Sequence, residues 1–155
     1  MMGASIQNNF CLPSVETLKG RFGFLSPKKL YQASSKAREQ FSVKSTGVDQ
    51  LMRALSGGNK QKVNLGRWLI KDLDVLIVDC PTRGVDIASA DNIQNRILDA
   101  AREGCAVLLI SSDLDELIKV SDRIMVLFRG RIMGFVDADE ATREGLGRMM
   151  LGEAH

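Results

Sequence analysis

The sequence predicts an α/β fold in which part of a parallel sheet is flanked by helices and follows a small helical region. Two short runs, Val75–Val78 and Ala106–Ile110, are apolar at every position, which is typical of parallel strands covered on both faces. Helical patterns alternate with these runs, and this alternation indicates parallel α/β units. Before about Leu55 the sequence is polar and helix-leaning, without a convincing strand.

Helices are predicted from capping residues and from apolar spacing. Ser26 and Pro27 provide an N-cap and a first-turn proline, and apolar residues then recur every three or four positions as far as Phe41. A short second helix is predicted over Val48–Leu55. The later segments predict helices over residues 59–70, 88–102, 114–120 and 139–151, and a β-hairpin over residues 124–128 and 131–135.

The composition excludes several classes of protein. With 155 residues, of which 45% are hydrophobic, the chain can bury a core. Its 21 basic and 19 acidic side chains are scattered, which gives no support to a nucleic-acid partner. The cysteines Cys11, Cys80 and Cys105 are odd in number and far apart, which predicts free thiols in a reducing compartment. Because no signal peptide and no apolar run of about 18 residues occurs, we expect a cytosolic chain unless a partner holds it at a membrane.

The segment Leu55–Gln61, Leu-Ser-Gly-Gly-Asn-Lys-Gln, places a serine and two glycines directly before a predicted helix. Glycines let backbone N–H groups turn toward a ligand, and a helix N-terminus adds partial positive charge. The segment can therefore bind an anion such as phosphate. Taken alone, it is explained more simply as a loop and helix cap.

Two aspartates follow the first apolar run. Asp79 ends the run, and Asp86 ends the turn Pro81–Asp86. An aspartate at the tip of such a strand can hold Mg²⁺, which prefers few carboxylates together with phosphate oxygens. Many strands end in an aspartate before a turn, so this signal is weak by itself. The order and spacing of all these segments are more specific than any one of them.

Taken together, the segments resemble the nucleotide-binding domain of ABC transporters. LSGGNKQKV resembles the ABC signature motif, VLIVD the Walker B strand, PTRGVD the Pro-loop and D-loop, and SSDLDEL the segment that normally carries the switch histidine. The segments SGGN, PTRGVD and SDRI have the form in which they recur in the second nucleotide-binding domain of tandem sugar and nucleoside importers, and the chain resembles that domain. Ser5–Asn9 weakly resembles the start of the helical subdomain. The resemblance implies the C-terminal part of an ABC-type P-loop ATPase domain.

The resemblance also implies roles for particular residues. It implies ATP-binding roles for the signature residues Ser56, Gly57, Gly58, Asn59 and Gln61. It implies that Asp79, as the Walker B aspartate, holds Mg²⁺ indirectly and that Asp86 belongs to the D-loop. Residues 1–55 are expected to form the helical subdomain, residues 56–135 the α/β portion of the catalytic core, and residues 136–155 a C-terminal helix.

Parts of the family's catalytic machinery are missing from these residues. Neither a G-x-x-x-x-G-K-[ST] phosphate loop nor the glutamine loop occurs, and both are expected before Met1. Cys80 stands at the catalytic glutamate position, where a thiol is a poor replacement for a carboxylate that orients water. Ser112 stands at the switch-histidine position, and the only histidine, His155, is expected to be a solvated terminus. The chain alone is therefore expected to be inactive as an ATPase. A redox or nucleophilic role of Cys80 is disfavoured because no histidine lies near it in the sequence.

The leading hypothesis is an ATPase fragment of a sugar or nucleoside importer, peripheral to the cytoplasmic face of the membrane. It supplies its signature motif to an ATP site on a second nucleotide-binding domain. ATP and Mg²⁺ are expected in the full dimeric assembly, together with transmembrane permease subunits. The alternative is a non-catalytic regulatory or interaction module derived from such a domain. A soluble ABC ATPase of DNA repair is disfavoured because the chain has no sustained heptads.

Overall fold

The computed structural model describes residues 1–14, 24–70 and 73–153. In these residues the helices are α1 (Ile6–Cys11), α2 (Pro27–Gln40), α3 (Gly57–Leu69), α4 (Ile87–Arg102), α5 (Leu114–Val120) and α6 (Arg143–Met150). The strands are β1 (Val75–Asp79), β2 (Ala106–Ile110), β3 (Arg123–Phe128) and β4 (Arg131–Asp137). Short 3-10 turns lie at Leu12–Ser14, Met52–Ala54 and Ala138–Glu140. The predicted α/β class is confirmed.

Two compact units make up the chain. The first contains Met1–Leu76 and Pro81–Val107, and the second contains Ile77–Cys80 and Leu108–His155. The boundary crosses β1 and β2, so each unit holds part of both strands. The domain boundaries expected after residues 55 and 135 stay predictions. Within the described ranges, no helix is long and apolar enough to cross a membrane.

Most of the predicted helices are found with small shifts at their ends. Ser26 caps α2, since its hydroxyl accepts a hydrogen bond from Lys29 N. α3 begins at Gly57, two residues before the predicted start. Ser56 is its N-cap and is the last residue with an extended backbone. The predicted C-terminal helix over residues 139–151 is divided into a 3-10 turn and α6, because Thr142 is extended and its hydroxyl accepts from Gly145 N at 3.0 Å.

The predicted helix over Val48–Leu55 is wrong, since only Met52–Ala54 makes a 3-10 turn. The backbone of this segment pairs instead with the N-terminal segment of the chain. Ile6 N donates to Gln50 O at 2.9 Å, and three similar bonds join the segment to residues 2–7. Groups paired in this way are not available for the i→i−4 bonds of a helix.

In the first unit, α1, α2 and α3 meet around an apolar core. Phe10 of α1 and Phe41, directly after α2, are buried, and their rings stack with centroids 6.3 Å apart. The core is completed by Ile6, Ala37, Val43, Met52, Leu55 and Val63. α3 passes the two rings at Gly66, where an added Cβ would lie 2.7 Å from Phe41 and 2.8 Å from Phe10. The missing side chain at Gly66 lets α3 lie directly against both rings.

β1 and β2 pair as parallel strands. At one end of the pair, Ala106 N donates to Asp74 O at 2.9 Å. At the other end, Cys80 N donates to Ile110 O at 2.8 Å. The carboxyl ends of both strands therefore lie at the same edge of this small sheet.

The two apolar strands are exposed on alternate residues, although an unbroken apolar run is typical of a strand covered on both faces. Val75 is 59% exposed and Ile77 is 64% exposed, and Leu108 and Ile110 are each 48% exposed. In the described residues the sheet contains only these two strands. The apolar residues of β1 and β2 would suit a sheet covered on both faces, but the described residues cover these strands only in part.

The second unit contains the predicted hairpin. β3 and β4 pair antiparallel and are joined at Arg129 and Gly130, which both have positive φ, as a tight primed turn requires. One face of the hairpin packs against α6 through Ile124, Val126, Leu146 and Met149. The opposite face exposes Met125, Leu127, Ile132 and Phe135. The hairpin is thus apolar on both faces and covered by this unit on only one.

The close packing at Gly66 generates a stability prediction. Gly66→Ala forces a Cβ to within 3.0 Å of both phenylalanine rings, and overpacking of this kind costs about 1 to 3 kcal/mol. The better helix propensity of alanine offsets part of this cost. We expect a net loss of about 1 to 2 kcal/mol in the free energy of unfolding, measured by urea titration. Gly47→Ala is the control, because nothing lies within 4 Å of its added Cβ. Equal stability of the two variants would contradict the packing argument.

The exposed strand residues generate a prediction about association. Exposed apolar strands favour pairing with another copy. We therefore expect the isolated chain to self-associate or to be partly disordered. Sedimentation should detect the association. Ile77→Lys and Leu108→Lys should each reduce it. Leu12→Lys, the same change at a similarly exposed residue outside the strands, should leave it unchanged. A monomer that unfolds cooperatively, without association at any concentration tested, would refute this prediction.

Candidate functional site

The hydroxyl of Ser56 is not used to cap the helix that it precedes. Ser56 is the exposed N-cap residue of α3, yet its side chain accepts no hydrogen bond from a backbone N–H of the first turn. In the described part of the chain, every other α-helix has such a bond, from Ser5, Ser26, Asp86, Asp113 and Thr142. The simpler explanation of the segment as a loop and helix cap is therefore confirmed for the position of Ser56 but not for its side chain. The position is that of a cap, but the hydroxyl is turned to another partner.

That partner is Asn59, in the first turn of α3. Asn59 Nδ2 donates to Ser56 Oγ at 2.8 Å, and Asn59 Oδ1 accepts from Lys44 N at 2.8 Å. One side-chain amide thus joins the start of α3 to the segment that follows α2. Gln61 lies one turn into α3 and is half-buried.

Gly58 lies against the start of α4. A Cβ at Gly58 would lie 2.6 Å from Ser89 Oγ, 2.9 Å from Ser89 Cβ and 3.2 Å from Asp86 Oδ2. Gly57 is less constrained, since its Cβ would lie 3.4 Å from Gly84 O. The sequence explained both glycines by access of a ligand to the backbone. The structure adds a packing reason for Gly58, because the first turns of α3 and α4 touch where it has no side chain.

Asp86 caps α4 and is itself fixed by Ser89. Ser89 Oγ donates to Asp86 Oδ2 at 2.8 Å, and Ser89 N donates to Asp86 Oδ1 at 3.0 Å. These two bonds, with a smaller contribution from the charge of Lys62, lower the pKa of Asp86 below its ordinary value. Ser89 and Lys44 were not singled out from the sequence. The Asp-x-x-Ser spacing is a signal that could have identified Ser89. The backbone amide of Lys44 has no corresponding signal in the sequence.

A second group of residues lies at the carboxyl edge of β1 and β2. Asp79 is exposed at the end of β1, and Cys80 follows it with a φ of +45°, in the left-handed region that non-glycine residues rarely adopt. Cys80 N donates to Ile110 O, at the end of β2. Ser112 is exposed two residues beyond that strand. The structure thus brings Asp79, Cys80 and Ser112 to one sheet edge.

The segment around Ser112 is held by its neighbours. Ser111 Oγ donates to the buried carboxylate of Glu116 at 2.6 Å and accepts from Asp113 N at 3.1 Å. Asp113 in turn caps α5 by accepting from the backbone of Asp115 and Glu116. The backbone at position 112 is therefore fixed, although its own side chain is a short hydroxyl.

The predicted site residues fall into two groups in two different units. Ser56, Gly57, Gly58, Asn59, Gln61 and Asp86 lie in the first unit, and Asp79, Cys80 and Ser112 lie in the second. His155 lies outside the described residues. Among the residues that the structure describes, no three His, Cys, Asp or Glu side chains form a group that could hold a metal ion. Asp79 on its own can contribute one carboxylate, which suits an ion that takes its other ligands from phosphate and water.

A family comparison agrees with the arrangement of these segments. Residues 2–83 match the model of the ABC transporter family, and the matched region includes the signature segment, β1 and Cys80. The chain belongs to the ABC transporter family. The described helices and strands are accordingly part of an ABC ATP-binding domain.

Curated relatives of this family align with nearly the whole chain. It is 40% identical over 146 residues to the ribose import ATP-binding protein RbsA 1 of Streptomyces avermitilis. It is 39% identical over 145 residues to the galactose/methyl galactoside import ATP-binding protein MglA of Treponema pallidum. Each alignment covers 94% of the chain but only 28% and 29% of the respective relative. The chain therefore spans less than a third of the length of these proteins.

Solved ABC cassettes have the same fold. The cassette MJ0796, in a dimeric post-hydrolysis state bound to ADP and Pi, matches with a TM-score of 0.76 at 18% identity. The cassette MJ1267 of an ABC transporter matches with a TM-score of 0.74 at 22% identity. The matches cover 89% and 96% of this chain, and 58% and 62% of the respective cassettes. At these identities the likeness establishes the fold alone.

The hydrogen bonds of Asp86 generate a pH prediction. Because they lower its pKa in the folded state, they add stability that is present at pH 7 and is lost as the pH falls below about 4, through the folded pKa. Asp86→Asn keeps an oxygen that can cap α4 but does not titrate. The variant should lose less stability than wild type between pH 7 and about pH 3, as measured by urea midpoints. Asp49→Asn, which removes an exposed carboxylate elsewhere in the same unit, should behave as wild type. An equal loss in Asp86→Asn and wild type would refute the assignment.

Proposed function

We propose that this chain is the C-terminal part of the second ATP-binding domain of an ABC importer for simple sugars or nucleosides. Its signature segment completes an ATP site whose phosphate loop belongs to a partner domain. The proposal rests on the hydroxyl of Ser56, which is exposed and makes no cap bond to α3. The import functions named for the relatives from Streptomyces avermitilis and Treponema pallidum support the choice of sugar.

The signature segment has the chemistry that a phosphate group requires. The first N–H groups of α3 have no partner within the helix, and the cap residue supplies them with no side-chain bond. Together with the hydroxyl of Ser56 they provide several donors and the positive end of a helix dipole. Such donors stabilise the charge on the γ-phosphate during its transfer.

The chain's own catalytic positions are less suited to hydrolysis. Cys80 and Ser112 offer a thiol and a hydroxyl where the family has a glutamate and a histidine, and the thiol is a poor replacement for a carboxylate that orients water. Asp79 remains able to contribute to a Mg²⁺ site together with phosphate oxygens. We infer an asymmetric pair of ATP sites, in which this domain contributes its signature to the competent site.

The proposed partners follow from this assignment. They are a first ATP-binding domain that binds ATP and Mg²⁺, and permease subunits that contact residues 1–55. The chain would then be held at the cytoplasmic face of the membrane by its partners. The replaced residues Cys80 and Ser112 are also consistent with a regulatory module that takes no part in turnover.

The test compares two N-cap serines, of which Ser26 makes a side-chain cap bond to its helix and Ser56 does not. In the intact transporter, Ser56→Ala removes a donor to phosphate, and a hydrogen bond to a charged group contributes about 1.5 to 3 kcal/mol, or about 10- to 150-fold in rate. We expect ATP turnover to slow by that factor with little loss of stability, because Ser56 makes no cap bond to its helix. Ser26→Ala removes a serine that does cap its helix. It should cost about 1 kcal/mol of stability and leave turnover unchanged.

A charge at the neighbouring glycine strengthens the comparison. Gly57→Asp places a negative charge next to the phosphate, so it should slow turnover more than Ser56→Ala does. Melting curves of all variants separate loss of fold from loss of contact. The regulatory-module hypothesis predicts near-normal turnover in both Ser56→Ala and Gly57→Asp, and that result would defeat the importer mechanism.

A further inference from the structure

We propose that Asn59 is a positioning residue, which points the hydroxyl proton of Ser56 toward phosphate and links this orientation to helix α2. The inference rests on the proposed function, because it concerns the same serine. It goes beyond that function by assigning the orientation of the hydroxyl to one side chain and by naming the element that holds this side chain in place.

The orientation of the Asn59 amide follows from its two partners. The backbone N–H of Lys44 can only donate, so the atom 2.8 Å from it must be Oδ1. The other amide atom, 2.8 Å from Ser56 Oγ, is then Nδ2, which can only donate. The hydroxyl oxygen of Ser56 is consequently an acceptor in this bond. Its own proton remains free to be donated to a ligand.

The Lys44 end of the link is held in place by α2. Arg38, in the last turn of α2, donates from Nε to Ser45 Oγ at 2.7 Å and from its guanidinium to Ser45 O at 2.8 Å. On the other side, Val43 is buried in the core and its N–H donates to Arg38 O at 2.9 Å. Lys44 therefore lies between two residues that are both bound to Arg38.

A continuous set of contacts thus leads from α2 to the signature serine. It passes from Arg38 to the backbone at residues 43–45, from Lys44 N to Asn59, and from Asn59 to Ser56 Oγ. A displacement of α2 that carries Lys44 away from Asn59 removes the bond that fixes the amide, and the amide no longer fixes the hydroxyl. The amide of Asn59 carries an acceptor and a donor on one planar group, so it can make both bonds at once.

Two substitutions at Asn59 separate the two bonds. Asn59→Asp keeps an acceptor for Lys44 N but has no donor, so the proton of Ser56 turns inward to the new carboxylate. Asn59→Leu removes both bonds. In the intact transporter we expect ATP turnover to fall about 10- to 150-fold in Asn59→Asp, as in Ser56→Ala. Asn64→Asp is the matched control. It makes the same change of charge at an exposed position of the same helix and should leave turnover unchanged.

A second readout does not depend on turnover. Hydrogen exchange of the peptide that contains Lys44 should become at least several-fold faster in Asn59→Leu, because the amide of Lys44 loses its acceptor. Exchange should stay as in wild type in Asn59→Asp and in Asn64→Asp. A structural role alone would give the same exchange in both Asn59 variants. Equal exchange in wild type and Asn59→Leu would therefore overturn the link to α2.

A double variant tests whether Asn59 acts through Ser56. If it does, Asn59→Leu should slow turnover in a wild-type background and have almost no further effect when Ser56→Ala is already present. Effects that multiply in the double variant would overturn the inference. Slow turnover in Ser56→Ala with normal turnover in Asn59→Asp would overturn it while leaving the proposed function intact. Normal turnover in Ser56→Ala would overturn the proposed function and the role of Asn59 toward phosphate, while the exchange readout would still decide whether α2 holds Asn59.

Discussion

The position of α3 is set by the absence of two side chains, and the signature segment depends on that position. Gly66 brings the helix against the rings of Phe10 and Phe41, and Gly58 brings its first turn against Ser89. A glycine inside a helix costs about 0.5 to 1 kcal/mol relative to alanine. The close packing that each glycine permits offsets that cost. Ser56 and Asn59 are positioned by these contacts, because the helix that they begin packs closely at both glycines.

The two groups of site residues obey different constraints. In the first unit, the signature segment and Asp86 are tied to one another by direct packing at Gly58 and Ser89. In the second unit, Cys80 and Ser112 are held by the backbone of the sheet edge and by Ser111. The backbone at both Cys80 and Ser112 is thus held in place. The proposed asymmetric pair of ATP sites requires this, because a domain that supplies its signature segment to a partner's site must still keep its own fold.

Prediction from the sequence succeeded where a local pattern decides the structure. α5, at residues 114–120, and the apolar strands were found from periodicity and from apolar runs, since such signals are contained in neighbouring residues. The helix over Val48–Leu55 failed because its backbone is paired with residues that lie more than 40 positions away. Whether Val75 and Ile77 are buried is not decided by the strand itself, because burial depends on what covers the strand.

The candidate site divides in the same way. Asp79, Asp86 and the signature residues were recognised as motifs in the sequence. The bonds that give them their geometry were not recognised, because Ser89 and the amide of Lys44 become neighbours of the site only through packing. Backbone groups carry no sequence signal at all, so the Lys44 amide could be found only in the structure.

The uncapped start of α3 has a consequence for the engineering of this domain. A side chain that accepts from the first turn of a helix contributes about 0.5 to 2 kcal/mol, and Ser56 forgoes this contribution. Replacement by aspartate, whose carboxylate can accept from the first turn and whose negative charge suits the helix N-terminus, would make the fold more resistant to heat. It would also place a carboxylate where a phosphate is expected to bind. Under the proposed function, selection for thermal tolerance alone would therefore favour a change at Ser56 that selection for phosphate contact would reject.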